Sequence, residues 1–172
     1  MSGTNIESNK ALVEAWVRAF NAHDAKAIGD LLHRDFVWNT AVQADDGPNE
    51  LRPLESKLLS GRNLALPKPR LNRQETITAY TNVFGGLVGK LEANSVSASK
   101  GSNDNFMRLE IQGMTAEGNR VALEAQSVGL VHPVTGRRYQ NFYHLLYKIE
   151  DGKIILLKEY QDTLRLFDFL ME

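Results

Sequence analysis

The chain has 172 residues, 42% of them hydrophobic and 24% charged, which implies one compact domain with room for a core and a pocket. A net charge of −1 supplies no field to recruit nucleic acid or anionic lipid, and the absence of cysteine excludes disulfides and thiolate metal ligands. His23, His33, His132 and His144 are scattered, with no i, i+4 metal pair. MSGTNIESNK lacks the basic-then-apolar order of a signal peptide, and no apolar run approaches the roughly 20 residues of a membrane span. A cytoplasmic protein is expected.

Thr4 followed by Glu7 forms a capping-box signature, and a helix should follow. Leu12, Ala15, Trp16, Ala19 and Phe20 then recur at helical spacing as one apolar stripe, which ends near Asn21-Ala22-His23. Asp24 can cap a short second helix carrying Ile28, Leu31 and Leu32. Phe36-Val37-Trp38 is rich in strand formers and reads as a short strand.

From Ala41 to about Asn72 the pattern dissolves. ADDGPNELRP and LPKPRLN hold four of the five prolines, so this stretch reads as a long loop or lid with one helical turn near Leu54–Leu59. Asn72 can cap a third helix whose apolar face carries Ile77, Tyr80, Phe84 and Leu87. The remainder is β. Phe106–Thr115, Arg120–Val131, Tyr139–Glu150 and Lys153–Gln161 have strand-like composition and are joined by short turns, Asp151-Gly152 being the sharpest hairpin signal. A closing helix is expected over Leu164–Leu170. Helices first and a four-strand meander last give an α+β fold, with helices packed on one face of a curved sheet.

This order of elements, together with the run TGRRYQNFYHLLYKIEDGKIILLKEYQDT, resembles the SnoaL-like branch of the nuclear transport factor 2-like superfamily. Relatives there include ketosteroid isomerase, limonene epoxide hydrolase, polyketide cyclases and phenazine-biosynthesis proteins. The resemblance spans nearly the whole chain apart from the loop. It implies a cone-shaped curved antiparallel sheet with three N-terminal helices on its concave face and a short C-terminal helix. It also implies a deep apolar pocket and a homodimer whose contact is the convex side, toward which His144 should face. The fold hosts many reactions and several non-enzymes, so it does not name one.

Strand alternation sorts the candidates. The resemblance favours Tyr139, Asn141, Tyr143, Leu145 and Tyr147 as pocket-facing, and with them Leu157, Glu159 and Gln161. On Arg120–Gly129 the expected inward set is Ala122, Glu124, Gln126 and Val128. Glu159 falls where limonene epoxide hydrolase has a last-strand aspartate and the phenazine-biosynthesis proteins a glutamate. In an apolar cavity its carboxyl would become suited to proton transfer; the other reading is a strand-end glutamate paired with a cation. Glu124, two strands away at about 9.5 Å between backbones, is the candidate second carboxylate. The alternative for Glu124 is a bridge to a surface cation.

Asn141 and Tyr143 are neutral donors suited to a carbonyl or oxyanion, or else to hydrogen bonds within the core. Trp16, Phe20, Trp38, Tyr80, Gln126, Leu145, Leu157 and Gln161 are candidate substrate contacts. Asp162, one residue before Thr163, reads as the N-cap of the closing helix.

Some activities lose support at once. Trp16 stands where ketosteroid isomerase has its helix tyrosine, Asn39 and Thr40 where it has its aspartate base, and Leu145 near its oxyanion-hole aspartic acid. The arginine and aspartate of limonene epoxide hydrolase fall near Gln126 and Val128. FGGLVGK lacks the first glycine and the Ser/Thr of a phosphate loop, and no G-x-S-x-G elbow occurs. The expectation is a cofactor-free, metal-free acid–base enzyme of isomerase, cyclase or hydrolase type. Its ligand would be an apolar oxygenated small molecule, with no nucleic-acid or membrane partner. The alternative is a non-catalytic binding or dimerisation module on the same fold.

Overall fold

The computed structural model describes residues 6–39, 70–82, 106–132 and 135–170. Thr4, Phe84, Leu87 and all of the expected loop but its last residues lie outside this set.

Helix α1, Ile6–Asn21, buries Asn9, Val13, Trp16, Val17, Ala19 and Phe20. The stripe is centred one residue later than the expected one, so Val13 and Val17 are fully inside and Leu12 and Ala15 only half-buried. The helix ends in a Schellman turn. The His23 N–H donates to the Phe20 carbonyl at 2.9 Å and the Asp24 N–H to that of Ala19 at 3.0 Å, with His23 at a φ of 56°. Asp24 then serves as N-cap of α2, Ala25–Leu31, its carboxylate accepting from the Ala27 N–H. One tetrapeptide thus ends one helix and starts the next.

Strand β1, Leu32–Asn39, follows directly. The last three residues of the expected loop, Arg70–Asn72, form a short strand, β2, paired antiparallel to β1. Three residues carry no legible period, and it is the pairing partner that makes them a strand. Residues 73–82 form helix α3. The Asn72 side chain accepts from the Glu75 N–H at 2.9 Å and Glu75 returns the bond to the Asn72 N–H at 3.0 Å, a capping box.

Strands β3 (Arg108–Glu117), β4 (Arg120–Val128), β5 (Phe142–Glu150) and β6 (Lys153–Gln161) form the meander. Asp151 and Gly152, at φ of 50° and 70°, form the tight turn between β5 and β6 that two positive φ values require. The sheet order is β2-β1-β6-β5-β4-β3, antiparallel except for the parallel β1–β6 pair. Helix α1 packs across β3 and β4 on the concave face. There Val13, Trp16, Phe20, Phe36, Leu123, Leu145 and Tyr147 share one core. The Asn21 amide clamps α1 to the sheet by bonding both the carbonyl and the N–H of Leu109.

Helix α4, Thr163–Leu170, closes the described chain. Asp162 is its N-cap, accepting from the backbones of Leu164 and Arg165 at 3.0 and 3.2 Å. Phe169 lies against the Tyr139 ring, 4.9 Å between centroids, in a second small core with Leu130.

Candidate active site

The alternation of β5 places Tyr143, Leu145, Tyr147 and Ile149 inside and leaves Phe142 and His144 exposed, the facing that the resemblance favoured. On β6 the inward side is carried by Ile154, then by Leu157 and Glu159. Ile154 and Leu157 are an odd number of residues apart. A bulge makes this possible: Lys148 pairs with Leu156 and Ile149 with Ile154, so Ile155 is the extra residue. Without that insertion Lys158 would face inward in place of Glu159.

Glu159 thereby reaches a cavity of about 140 Å³ lined by Trp16, Phe20, Trp38, Ala79, Tyr80, Met107, Leu109, Tyr143 and Leu145. The rings form one continuous wall. Trp38 stacks on Tyr80 at 5.2 Å, Phe20 meets Tyr80 edge-on at 5.9 Å, and Trp16 stacks on Phe20 at 5.5 Å. Among the described residues the carboxyl has one hydrogen bond, Trp38 Nε1 donating to Oε2 at 3.1 Å. Desolvation raises its pKa from the ordinary 4.5 to about 7, and the Trp38 bond pulls slightly the other way. Glu159 is half-buried as a residue, and its carboxyl meets the aromatic wall at Trp38.

Tyr143 sits diagonally from Glu159 on the same face, since Leu145 pairs with Glu159 and Tyr143 with Gln161. Such diagonal neighbours are about 7–8 Å apart. A small molecule in the cavity can touch both.

Several candidates lie elsewhere. On β4 the buried residues are Val121, Leu123, Ala125 and Ser127, so the expected inward set is displaced by one position. Ala122 and Val128 are only half-buried on the other parity. Glu124 is exposed on the outer face, directly across from His144, and cannot flank a substrate with Glu159. Gln126 has the same outward parity, opposite Phe142. The register follows the larger apolar side chains, which outcompete a carboxylate for the core. The positions facing the helices, Ala125 and Ser127, also carry no arginine or acid.

Asn141 is 0% exposed and does not line the cavity. Its Nδ2 donates to the Tyr139 hydroxyl at 3.0 Å and the Asp162 carbonyl at 2.9 Å, with a longer 3.4 Å contact to Gln161 Oε1. Leu157 belongs to the core beneath the cavity, and Gln161 sits at the end of β6 beside an outer groove lined also by Glu124, Phe142 and His144. Asn39 is buried, and Thr40 lies outside the described residues.

Met107 and Leu109 also line the cavity. Both fall on the expected strand Phe106–Thr115, yet nothing in FMRLEI marks them as pocket wall. Tyr139 lies just before β5 and is buried, its hydroxyl oxygen 2.9 Å from that of Tyr143. Among the described residues there is no cluster of His, Asp and Glu that could hold a metal ion, and no helix is long and apolar enough to cross a membrane.

Comparison with known proteins agrees with this architecture. Residues 74–157 match the SnoaL-like domain family, a stretch that ends two residues before Glu159. A search of curated protein sequences finds no match. Among solved structures, an epoxide hydrolase of limonene-epoxide-hydrolase type from M. tuberculosis is similar with a TM-score of 0.60 at 16% identity, over 96% of this chain and 91% of that one. IdmH, a putative polyketide cyclase from Streptomyces antibioticus, gives 0.59 at 16% identity over 95% and 99%. AclR, a putative hydroxylase from Streptomyces galilaeus, gives 0.60 at 17% identity over 97% and 87%. Residues 74–157 thus carry the SnoaL-like domain signature, and the chain has the curved-sheet fold of the nuclear transport factor 2-like superfamily.

Proposed function

We propose that the protein binds an apolar oxygenated small molecule in this cavity and moves a proton on it, Glu159 being the transferring group and Tyr143 the oxygen holder. The observation that carries the reading is a carboxyl set into an aromatic wall, the one carboxyl there among the described residues, with a pKa of about 7 caused by desolvation. Such a group is present in both protonation states at neutral pH, where general acid–base catalysis is most effective.

The step that fits is enolisation. A proton leaves the carbon next to a carbonyl for the Glu159 carboxylate, and the C–H electron pair becomes the enolate π bond. The carbonyl oxygen takes the developing charge and accepts a hydrogen bond from Tyr143. Return of the proton to another carbon gives an isomer. Attack of the enolate on a second carbonyl gives a ring, and the proton then goes to the new alkoxide. Relatives of this fold that are described as a putative polyketide cyclase and an epoxide hydrolase support small-molecule chemistry of this kind. Epoxide opening by water held between two acids is less well supported, because Glu124 points away and the inward residues of β4 are Ala125 and Ser127. Proton transfer between carbon and a carboxyl needs no cofactor.

The test is turnover by Glu159→Gln on a substrate found by screening cyclic ketones, enones and poly-β-ketone mimics. A loss of about 10²–10⁴-fold is expected; unchanged turnover contradicts the assignment. The presence of one carboxyl in the cavity among the described residues also favours a second reading, a binding module that holds such a molecule unchanged. That module would keep ligand affinity in Glu159→Gln and show no turnover in the wild type. The homodimer would use the outer face, where Phe142 is 54% exposed beside His144, and sedimentation of the intact chain tests it.

A further inference from the structure

Accepting the oxygenated ligand proposed above, we propose that Asn141 and Tyr139 are positioning residues that aim the hydroxyl proton of Tyr143 into the cavity. Tyr143 is thereby a one-way donor to a ligand carbonyl or enolate oxygen.

The Asn141 amide has only one workable orientation. Its Oδ1 lies 2.8 Å from the Phe142 N–H, which can only donate, and its nitrogen lies 2.9 Å from the Asp162 carbonyl, which can only accept. The nitrogen's second good contact is the Tyr139 hydroxyl at 3.0 Å, so the Tyr139 oxygen accepts there. Tyr139 and Tyr143 then face each other with 2.9 Å between oxygens, and either could donate. If Tyr143 donated, the Tyr139 oxygen would accept twice and its own proton would be buried without an acceptor among the described residues. An unsatisfied buried hydroxyl proton is costly. Tyr139 therefore donates to Tyr143. The Tyr143 proton is left to point toward the cavity, where the acceptor is the Met107 sulfur at 3.8 Å. A thioether is a weak acceptor that any carbonyl oxygen would replace.

The rest of the fold holds this chain still. Asn141 is clamped to β4 by Ser127, whose Oγ accepts from the Asn141 N–H at 2.8 Å and whose N–H donates to the Asn141 carbonyl at 2.9 Å. Phe169 of α4 covers the Tyr139 ring. The donor is thus organised before a ligand arrives, which is what electrostatic stabilisation of a developing charge requires. Because Asn141 and Tyr139 act through Tyr143, neither need touch the ligand.

The cavity's 140 Å³ resembles the roughly 150 Å³ that accommodates one benzene ring, so cyclohex-2-enone labelled at the carbonyl carbon is a suitable probe. Its infrared carbonyl band is read when bound to the wild type, Tyr143→Phe, Tyr139→Phe and Glu159→Gln. The expected result is a wild-type band below the value in hexane, which Tyr143→Phe restores to near the hexane value with about fivefold weaker binding. Tyr139→Phe should give a smaller downward shift than the wild type, and Glu159→Gln should keep the full shift. An unshifted wild-type band, whether the enone stays out or enters without meeting this donor, overturns the proposal. So does a Tyr139→Phe band equal to the wild type's, since a merely structural role would change stability and not the carbonyl frequency. Retention of the shift in Glu159→Gln separates this proposal from the fate of the proton-transfer reading. Neutron diffraction of the deuterium-exchanged protein gives the direction without any ligand. The deuteron of Tyr139 should lie toward Tyr143; one on Tyr143 pointing back at Tyr139 overturns the proposal.

Discussion

Two glutamates one strand apart from the same partner, β5, meet opposite fates. Glu159 on β6 faces the helices and meets Trp38, Tyr80 and Tyr143. Glu124 on β4 faces outward and lies across from His144 in water. The side chains are chemically identical, so the difference comes from the face of the sheet, and the face is set by register. On β6 a single extra residue, Ile155, turns the acid inward; on β4 the apolar run Val121, Leu123, Ala125 turns it outward. Pocket chemistry in this fold is therefore decided by one-residue events in strands as much as by which acids the chain contains.

The largest expected contrast is kinetic. Glu159→Gln should reduce turnover by about 10²–10⁴-fold, while Glu124→Gln, exposed and across the sheet, should stay within about twofold. Comparable losses in both would break the division between the faces.

A smaller effect is on stability. The folded-state pKa of Glu159 is raised to about 7, so between pH 4.5 and 7 the folded protein holds more protons than the unfolded chain. The group's contribution is fully present below pH 4.5 and is lost as pH rises through 7. Glu159→Gln should thus be more stable than the wild type at pH 8 by about 2 kcal/mol, a figure lowered for partial exposure, and the gap should narrow toward pH 4.5. Urea unfolding at both pH values checks this.

Trp38→Phe removes the described donor to the Glu159 carboxyl, which stabilises its charged form. The carboxyl titration should move upward in that variant, and a downward move would mean that the bond is not made. The smallest effect concerns Tyr147, fully buried beside Trp16 with a hydroxyl that has no partner among the described residues. Tyr147→Phe should leave stability unchanged or raise it by about 1 kcal/mol in thermal unfolding, since it removes a desolvated group. A loss of that size would reveal a partner for the hydroxyl.

How much of this was legible in the residues differs by element. The alternation of β5 was readable because its two faces differ sharply, Tyr-Leu-Tyr-Ile against Phe-His-Leu-Lys. The caps at Asp24, Asn72 and Asp162 were readable because capping is local. β4 was not, because RVALEAQSV has small or apolar residues on both faces, and parity alone put Glu124 inward where burial favoured Val, Leu and Ala. The β6 bulge leaves no local signal, since KIILLKE is apolar on either parity. β2 exists only through its pairing with β1. Asn141 looked like a ligand donor because the hydrogen-bond demand of the Asp162 carbonyl and the Tyr139 hydroxyl comes from tertiary contacts.

The most direct measurement is the pKa of Glu159 by carboxyl-edited NMR titration of the wild type against Glu159→Gln. A midpoint near 7 is expected of a desolvated acid set in the aromatic wall. A midpoint near the ordinary 4.5 would mean a hydrated carboxylate and would contradict the proton-transfer assignment.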